Sequence, residues 1–248
     1  MTIPKALEPT GLILVDKPAG PSSFAVLAGV RARTGAKTGH AGTLDPFATG
    51  LLLLLSGRAT RMASWFVGLP KRYLTDVDLS GRTTTGDPEG DRLERHPAPS
   101  ADALDAALEG LRGDVELPVP AASAVKIGGE RAYRLHRKGV AVEMPVRRSH
   151  VAALDVIAYT DGIATLDMRV SSGTYVRSIA DALGGHCRTL RRTEVGPFTV
   201  EEADPERILP VEDALARIGL TPAEAAEQRR RKAAADRERQ AAGGASGP

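Results

Sequence analysis

The sequence contains a single cysteine, Cys187, among its 248 residues. One thiol cannot form an intramolecular disulfide, and it cannot supply a metal site built from several cysteines. The longest apolar run, residues 51–55, is far too short to cross a bilayer, which takes about 20 apolar residues. The first residues show neither the basic nor the apolar segment of a signal peptide. These absences predict a cytoplasmic protein without membrane association.

The sequence also lacks a large excess of positive or negative charge, and it has few aromatic side chains. Lys and Arg number 33 against 31 Asp and Glu, which gives a net charge of +2, and only 4% of the residues are aromatic. A nucleic-acid site in such a chain must be a local basic patch, because the overall field is weak. By contrast, 42% hydrophobic residues, 26 Gly and 17 Pro indicate a substantial core with many turns.

Signals for strands and helices alternate along the chain. Residues 11–15 and 51–55 are typical of buried strands, and residues 73–79 alternate in polarity as a strand does. Ser22 or Ser23 can cap a helix that runs to about Arg33, and Ser100 can cap another that ends near Gly110. Further helices are predicted at 59–67 and 175–183, and a strand at 190–195. The Gly-rich segments 35–50 and 81–90 are predicted to be loops.

One pair of strands carries a turn signal of its own. Two apolar, β-branched segments, residues 148–158 and 163–170, flank Asp161-Gly162. Asp-Gly between such segments is typical of a two-residue hairpin turn. A hairpin among interleaved strands and helices argues against a purely parallel sheet. The sequence therefore predicts an α+β fold with a mixed sheet.

The most informative segment is residues 39–50, which read GHAGTLDPFATG. Its glycines permit tight backbone turns, and Pro46 restrains Asp45 to an extended conformation. A carboxylate and the imidazole of His40 are thus presented on a constrained loop between a helix and a buried strand. Asp-Pro alone is typical of an ordinary turn, so the interest of this segment depends on the whole string.

That string resembles the signature of the TruB-type tRNA pseudouridine synthases, whose pattern is Gly-His-x-Gly-x-Leu-Asp-Pro-x-Ala-x-Gly. The resemblance continues along most of the chain in the expected order. It includes residues 11–20 with Asp16-Lys17-Pro18, Lys71-Arg72-Tyr73, residues 81–87, residues 123–139, residues 172–179 and Leu190-Arg191-Arg192.

The resemblance implies a fold, a reaction and a partner. The fold is the pseudouridine-synthase fold, a mixed and mostly antiparallel sheet with flanking helices. The reaction isomerises uridine-55 in the T-arm of tRNA: the N1–C1′ bond breaks, the base turns, and C5 is joined to C1′. This requires no cofactor and no metal, and it implies tRNA as the partner without an obligate protein partner.

The resemblance also implies three catalytic residues. Asp45 matches the family's catalytic aspartate, which either adds to C1′ or promotes a glycal-type elimination; the sequence leaves both routes open. In either route the carboxylate must be ionised, and Arg177 is expected beside it, where a guanidinium favours the charged form. Tyr73 matches the tyrosine that packs on the flipped base and takes part in proton transfer.

Substrate binding is expected to involve further residues besides Tyr73. Tyr175 and Leu190 match residues of the base pocket. His40 would occupy the space left by the flipped nucleotide. Lys17 would either support the active-site loop or contact a phosphate.

Residues 1–210 are predicted to form the catalytic domain, with an RNA-binding insertion near 120–150. Within that insertion Tyr133 lies among basic residues, namely Lys126, Arg131, Arg134, Arg137 and Lys138. Residues 211–248 are predicted to contain a short helix, begun by a capping box at Thr221 and Glu224, and a disordered basic tail with a cluster at residues 229–232. The 38 residues after Pro210 are too few for the C-terminal RNA-binding domain that family members commonly carry.

Three other interpretations remain open at this stage. An inactive RNA-binding protein could use the same scaffold, although Asp45, Tyr73 and Arg177 are all present. A nucleoside or glycoside hydrolase could pair Asp45 with a second acid, Asp181 or Asp87; release of the base by water would distinguish it. A metal-dependent enzyme could use His40 and Asp45, but no third ligand is evident.

Overall fold

The computed structural model of the chain describes residues 9–228, 230, 231 and 234. Its helices are α1 (Ser23–Thr34), α2 (Ala63–Val67), α3 (Ala101–Glu109), α4 (Ala132–Arg137), α5 (Val176–Ala182) and α6 (Val211–Arg217), with 3₁₀ turns at Gly57–Met62 and Val200–Glu202. Its strands are β1 (Gly11–Lys17), β2 (Thr38–His40), β3 (Thr49–Ser56), β4 (Lys71–Asp78), β5 (Gly113–Pro118), β6 (Lys126–Ile127), β7 (Glu130–Arg131), β8 (Val146–Thr160), β9 (Ile163–Val170), β10 (His186–Cys187), β11 (Arg191–Val195), β12 (Phe198–Thr199) and β13 (Asp204–Leu209).

A single large sheet organises the fold, in the order β13-β1-β3-β11-β4-β9-β8-β5. Every neighbouring pair in this order is antiparallel except β3 and β11, which run parallel. The predicted mixed, mostly antiparallel sheet with flanking helices is therefore confirmed. The short strands β2, β10 and β12 pair with β3, β4 and β11, and β6 and β7 form a separate hairpin.

The centre of the sheet explains the continuous leucine run of β3. Its side chains alternate between two core clusters: Leu51, Leu53 and Leu55 pack into one, and Leu52 and Leu54 into the other. A strand buried on both faces must be apolar at every position. A third cluster lies under β4, β8 and β9 with helices α3 and α5.

The local predictions that rested on caps and turns are confirmed. The Ser22 side chain accepts a hydrogen bond from the Ala25 amide at 3.1 Å, and α1 begins at the next residue. Ser100 caps α3 in the same way. Asp161 and Gly162 both have positive φ and form the two-residue turn between β8 and β9, as the primed hairpin turns require.

One predicted loop is partly wrong. Within the Gly-rich segment 35–50, residues 38–40 form β2, because their backbone pairs with β3 in the register Gly39↔Leu55. A three-residue strand that contains glycine has no hydrophobic period of its own, so its pairing with β3 decides its conformation. The loop that remains, residues 41–48, joins β2 to β3.

The insertion between β5 and β8 contains the β6–β7 hairpin and α4. At the other end of the chain, α6 buries Ala214 and Leu215 in the cluster below β3. The capping box is present, with the Glu224 amide donating to Thr221 Oγ1 and the Thr221 amide to Glu224 Oε2. Most of the predicted tail, including Arg229 and Lys232, lies outside the described residues. No helix in the described ranges is long and apolar enough to span a membrane.

Candidate active site

The loop of residues 41–48 carries Asp45, and the buried side chain of Lys17 binds the backbone of this loop. The Lys17 side chain is fully buried at the end of β1. Its Nζ donates to the carbonyl oxygens of Pro18 (2.9 Å), Pro46 (3.1 Å) and Ala48 (2.6 Å). All three donors of the ammonium group are thus used on backbone oxygens, two of which follow Asp45 in the same loop.

Two further side chains hold the same loop from other elements. Ser23 Oγ, on α1, accepts from the Leu44 amide at 2.8 Å and donates to the Leu44 carbonyl at 2.7 Å. Arg192, on β11, is 1% exposed. Its guanidinium donates to the carbonyl oxygens of Leu51, Thr43 and Gly42. The loop is therefore positioned by helix and sheet together.

Gly50 lets β3 and β11 approach each other directly beside this loop. Its φ is +102°, and a Cβ atom there would lie 2.2 Å from the Arg192 carbonyl oxygen. Only glycine combines this backbone conformation with so close an approach. The parallel pairing of Thr49 with Arg191 begins at this point.

Asp45 forms an ion pair with Arg177 on α5. Arg177 Nε lies 3.0 Å from Asp45 Oδ2, and the two side chains are 3% and 38% exposed. The Nε–H group makes no aligned hydrogen bond with any described residue, so the contact is better described as an ion pair. The remaining guanidinium hydrogens are directed elsewhere: Nη1 donates to the Thr85 carbonyl at 2.7 Å and Nη2 to the Ala122 carbonyl at 2.9 Å.

A second carboxylate, Asp87, holds the other side of this guanidinium. Arg177 Nη1 donates to Asp87 Oδ2 at 3.0 Å, and the Asp87 side chain is 6% exposed. Asp87 Oδ1 accepts from Thr85 Oγ1 at 2.5 Å and from the Glu89 amide at 3.0 Å. In the sequence, Asp87 belongs to a family motif, and its only predicted role was that of a second acid in a hydrolase. Its contact with Arg177 was missed, because it joins residues 90 positions apart.

The pKa of Asp45 is raised above its ordinary value. Burial is the largest cause, and the negative charge of Asp87 acts in the same direction. The charges of Arg177 and Lys17 lower the pKa and partly offset the burial. The pKa of Lys17 is lowered by burial, against the attraction of Asp45. Arg177 thus favours the ionised carboxylate as expected, but burial outweighs it.

A pocket of about 220 Å³ opens above the Asp45 loop. Five of the predicted site residues line it: Asp45, Tyr73, Tyr175, Arg177 and Leu190. The sheet register brings them together, since Tyr73 on β4 pairs with Arg192, and Leu190 precedes β11. The Tyr73 side chain is 8% exposed. The other lining residues were not assigned to the site from the sequence, and they include Val67, Lys71, Ser172 and Arg192.

The other two predicted residues lie outside the pocket lining. Lys17 lies beneath the loop, where its buried ammonium contacts carbonyl oxygens. His40 is the last residue of β2, and part of its surface is exposed to solvent while neighbouring residues surround the rest. Partial burial and the charge of Arg192 lower the pKa of His40.

The other reactive side chains of the described chain offer little competing chemistry. Burial raises the pKa of the Cys187 thiol to about 12, which leaves it a poor nucleophile. Asp181 lies 3.4 Å from Arg82 Nε. No cluster of three His, Cys, Asp or Glu side chains suited to a metal occurs among the described residues.

Comparisons with known proteins agree with one another. Residues 30–176 match the family model described as TruB family pseudouridylate synthase, N-terminal domain. The chain is 40% identical to a protein of Mycobacterium sp. (strain KMS) named tRNA pseudouridine synthase B, over 91% of the chain and 84% of that protein. It is 44% identical to a protein of the same name from Thermobifida fusca (strain YX), over 78% and 72% of the two chains.

Solved structures show the same fold. A chain in the crystal structure of a Cbf5-Nop10-Gar1 complex superposes with a TM-score of 0.58 at 28% identity. The match covers 76% of this chain but only 50% of that one. A chain from an H/ACA RNP bound to a substrate RNA superposes with a TM-score of 0.60 at 24% identity and covers 61% of that chain.

Proposed function

The chain belongs to the TruB family of pseudouridylate synthases, and from this premise we propose that it isomerises uridine-55 to pseudouridine in the T-arm of tRNA, with Asp45 as the nucleophile. The observation that carries the proposal is the Asp45 carboxylate, 3.0 Å from the buried Arg177 and facing a pocket walled by Tyr73 and Tyr175. The relatives named tRNA pseudouridine synthase B support tRNA as the substrate.

One carboxylate suffices for this reaction, because the same ribose carbon is released and recaptured. An Asp45 oxygen forms a bond with C1′ while the N1–C1′ bond breaks, and the electron pair leaves with the base. After the base turns, C5 bonds to C1′ and the Asp45–C1′ bond breaks. The proton then leaves C5, and N1 is protonated. In the glycal route Asp45 instead removes the proton from C2′, and it returns that proton when C5 bonds to C1′.

The side chains around Asp45 suit these steps. The nucleophile must be ionised, and Arg177 and Lys17 both favour that state against the effect of burial. Tyr73 presents an aromatic face for a flipped base, and its hydroxyl makes no hydrogen bond to the described residues, which leaves it available for proton transfer. A closed pocket would also exclude water from the ribose–enzyme intermediate.

The insertion between β5 and β8 supplies the groups for RNA contact in this proposal. Its basic side chains are all exposed, namely Lys126, Arg131, Arg134, Arg137 and Lys138. The guanidinium groups of Arg134 and Arg137 lie 5.9 and 5.8 Å from the Tyr133 ring centre. Exposed cations neutralise phosphates, and a folded RNA arm is recognised by its shape and backbone. Catalysis is assigned to residues 1–210 and RNA contact to this insertion.

The hydrolase interpretation is disfavoured by the contacts of the two candidate acids. A glycosidase needs a second carboxyl group that acts on water or on the leaving group. The carboxylate oxygens of Asp87 are occupied by Arg177, Thr85 and the Glu89 amide. Asp181 is paired with Arg82 and lines a different cavity.

Tritium release from [5-³H]uridine-labelled tRNA tests the proposal with the purified chain alone. We expect release by the wild type, pseudouridine at position 55, and no release by Asp45→Asn, which keeps the size of the side chain. Free uracil in place of pseudouridine would indicate a hydrolase. No release by the wild type from folded, unmodified tRNA would contradict the proposal, or would show that a protein partner is needed if activity returned in cell extract.

A further inference from the structure

A buried lysine, Lys71, lines the same pocket but takes no part in the reaction described above. It is the first residue of β4, two positions before Tyr73, so both side chains leave the same face of the strand. It is 6% exposed. Lysine is rarely so buried without a charged partner, yet the hydrogen bonds of its ammonium group to the described chain all go to neutral oxygens.

The ammonium group of Lys71 joins two segments that are distant in the sequence. Nζ donates to the carbonyl oxygens of Val67 (2.6 Å) and Leu69 (2.5 Å), at the end of α2 and just beyond it. It also lies 3.3 Å from Ser172 Oγ, which itself donates to the Val67 carbonyl. An ammonium group has three hydrogens, so this arrangement uses all of them.

The turn at Ser172 leads directly into the wall of the pocket. Residues 172–174 line the pocket, Tyr175 immediately precedes α5, and Arg177 lies in the first turn of that helix. A displacement of the turn would therefore shift the aromatic wall and the guanidinium relative to Asp45. Misplacement of such groups slows an enzyme, because catalysis depends on the alignment of the reacting groups.

We propose that Lys71 is a positioning residue, whose ammonium group holds the Ser172 turn on the end of α2 and thereby sets the positions of Tyr175 and Arg177 around the base. The catalytic consequence rests on the function proposed above. The contact itself can be tested without a substrate.

The charge of Lys71 is poorly compensated by its surroundings. Burial lowers the pKa of Lys71 to about 8, and the charge of Arg192 on β11 acts in the same direction. The two carboxylates that share its cavities are already paired, Glu194 with Arg72 and Arg169, and Asp45 with Arg177. The other titratable groups of these cavities are Tyr73, Tyr175 and His150. The ammonium form, which the three contacts require, is therefore lost at mildly alkaline pH.

Hydrogen exchange measured by mass spectrometry tests the contact in the absence of RNA. For Lys71→Met at pH 7, we expect the amides of residues 172–175 to exchange about tenfold faster or more, since loss of a hydrogen bond to a charged group shifts an equilibrium by roughly that factor. The wild type should approach the variant at pH 9. The matched control is Lys37→Met, which replaces an exposed lysine outside the pocket. Equal exchange in wild type and Lys71→Met at pH 7 would overturn the proposal.

Kinetics on tRNA test the consequence for catalysis. Lys71→Met should lower kcat more than it raises KM, and Lys71→Arg should restore part of the loss and remove the decline of kcat above pH 8. An unchanged kcat for Lys71→Met in an active enzyme would refute positioning. If the wild type itself were inactive, the proposed function would fail while the exchange experiment still decided the role of Lys71. Ser172→Ala replaces Lys71→Met if that variant does not fold, and unchanged exchange at residues 173–175 would then count against the proposal.

Discussion

Replacing Asp87 by Asn tests whether the charge of this carboxylate, which contacts Arg177, alters the ionisation of Asp45, the proposed nucleophile. The substitution keeps the size of the side chain and an oxygen that can accept from Arg177 Nη1, but it removes the charge. Both partners of this contact are buried, with side chains 3% and 6% exposed at a distance of 3.0 Å. No other carboxylate touches the Arg177 guanidinium in the described chain except Asp45.

The expected effect has a magnitude and a sign. A hydrogen bond to a charged group contributes about 1.5–3 kcal/mol, and the substitution weakens this contact without removing it. The loss in kcat should therefore stay below the roughly tenfold to hundredfold that complete loss of the contact would cause, if the orientation of Arg177 is needed for catalysis. The negative charge of Asp87 raises the pKa of Asp45. Its removal should lower that pKa, so the acid limb of the pH profile should move to lower pH even though the maximum rate falls.

The assay is the pH dependence of kcat for tritium release, with the affinity for tRNA measured in parallel. Asp181→Asn is the matched control, because Asp181 is paired with Arg82 at a half-exposed site on the same helix as Arg177. An exposed pair of this kind contributes about 1 kcal/mol or less, and the pH profile should not move. An acid limb that stays in place or moves to higher pH in Asp87→Asn would refute the reasoning.

Three other predictions concern the Asp45 loop and can be measured by urea denaturation. Asp45→Asn should be inactive but more stable than the wild type at pH 7, because the raised pKa of Asp45 means that its ionisation in the folded protein costs stability. The gain in stability should shrink as the pH falls through that pKa. A variant less stable than the wild type would contradict this. Lys17→Met should lose about 1–3 kcal/mol for each carbonyl left unpaired, and an unchanged denaturation midpoint would show that the loop does not need the ammonium. Gly50→Ala should be destabilised by more than about 1–3 kcal/mol, because its φ of +102° is strained for alanine and the Cβ would overlap the Arg192 carbonyl. Gly29→Ala, in an open position of α1, should instead gain about 0.5–1 kcal/mol, and equal effects at the two glycines would be inconsistent with this account.

The elements predicted from the sequence are those with strong local signals. The cap at Ser22, the turn at Asp161 and the leucine run of β3 each determine their own structure, and all are confirmed. The strands that the sequence did not predict have two to six residues, namely β2, β5, β6, β7, β10, β12 and β13. Of these, β6 pairs with β7 and β12 with β11 across short turns, and the others pair with strands more distant in the sequence. Their conformation is set by the sheet edge or strand that they complete, which no local pattern reveals.

The candidate site divides in the same way. Asp45 was found because a local motif surrounds it, and the resemblance supplied Tyr73, Tyr175, Arg177 and Leu190, which the structure places around one pocket. Among the groups that hold the site in place, Lys17 was expected to support the loop or to contact a phosphate, but the contacts of Lys71 and Arg192 were not predicted, because each acts across the fold. Lys71 reaches Ser172 and Arg192 reaches Gly42 over more than a hundred positions, and no spacing in the sequence indicates either contact.

The small net charge of the chain, +2, does not reflect the excess of buried positive charge around the pocket. Four cations are almost fully buried around the pocket, namely Lys17, Lys71, Arg177 and Arg192, and two carboxylates face them, Asp45 and Asp87. The ammonium groups of Lys17 and Lys71 and the guanidinium of Arg192 donate chiefly to backbone oxygens, so these cations hold loops, and Arg177 alone contacts Asp45. The charges of Arg177 and Lys17 nevertheless oppose the effect of burial on the pKa of Asp45, and the excess of buried positive charge favours a polyanionic substrate at the mouth of the pocket. A neutral replacement of Arg177 or Lys17 should therefore disturb the geometry and the ionisation of Asp45 together, and the pH profile separates the two effects.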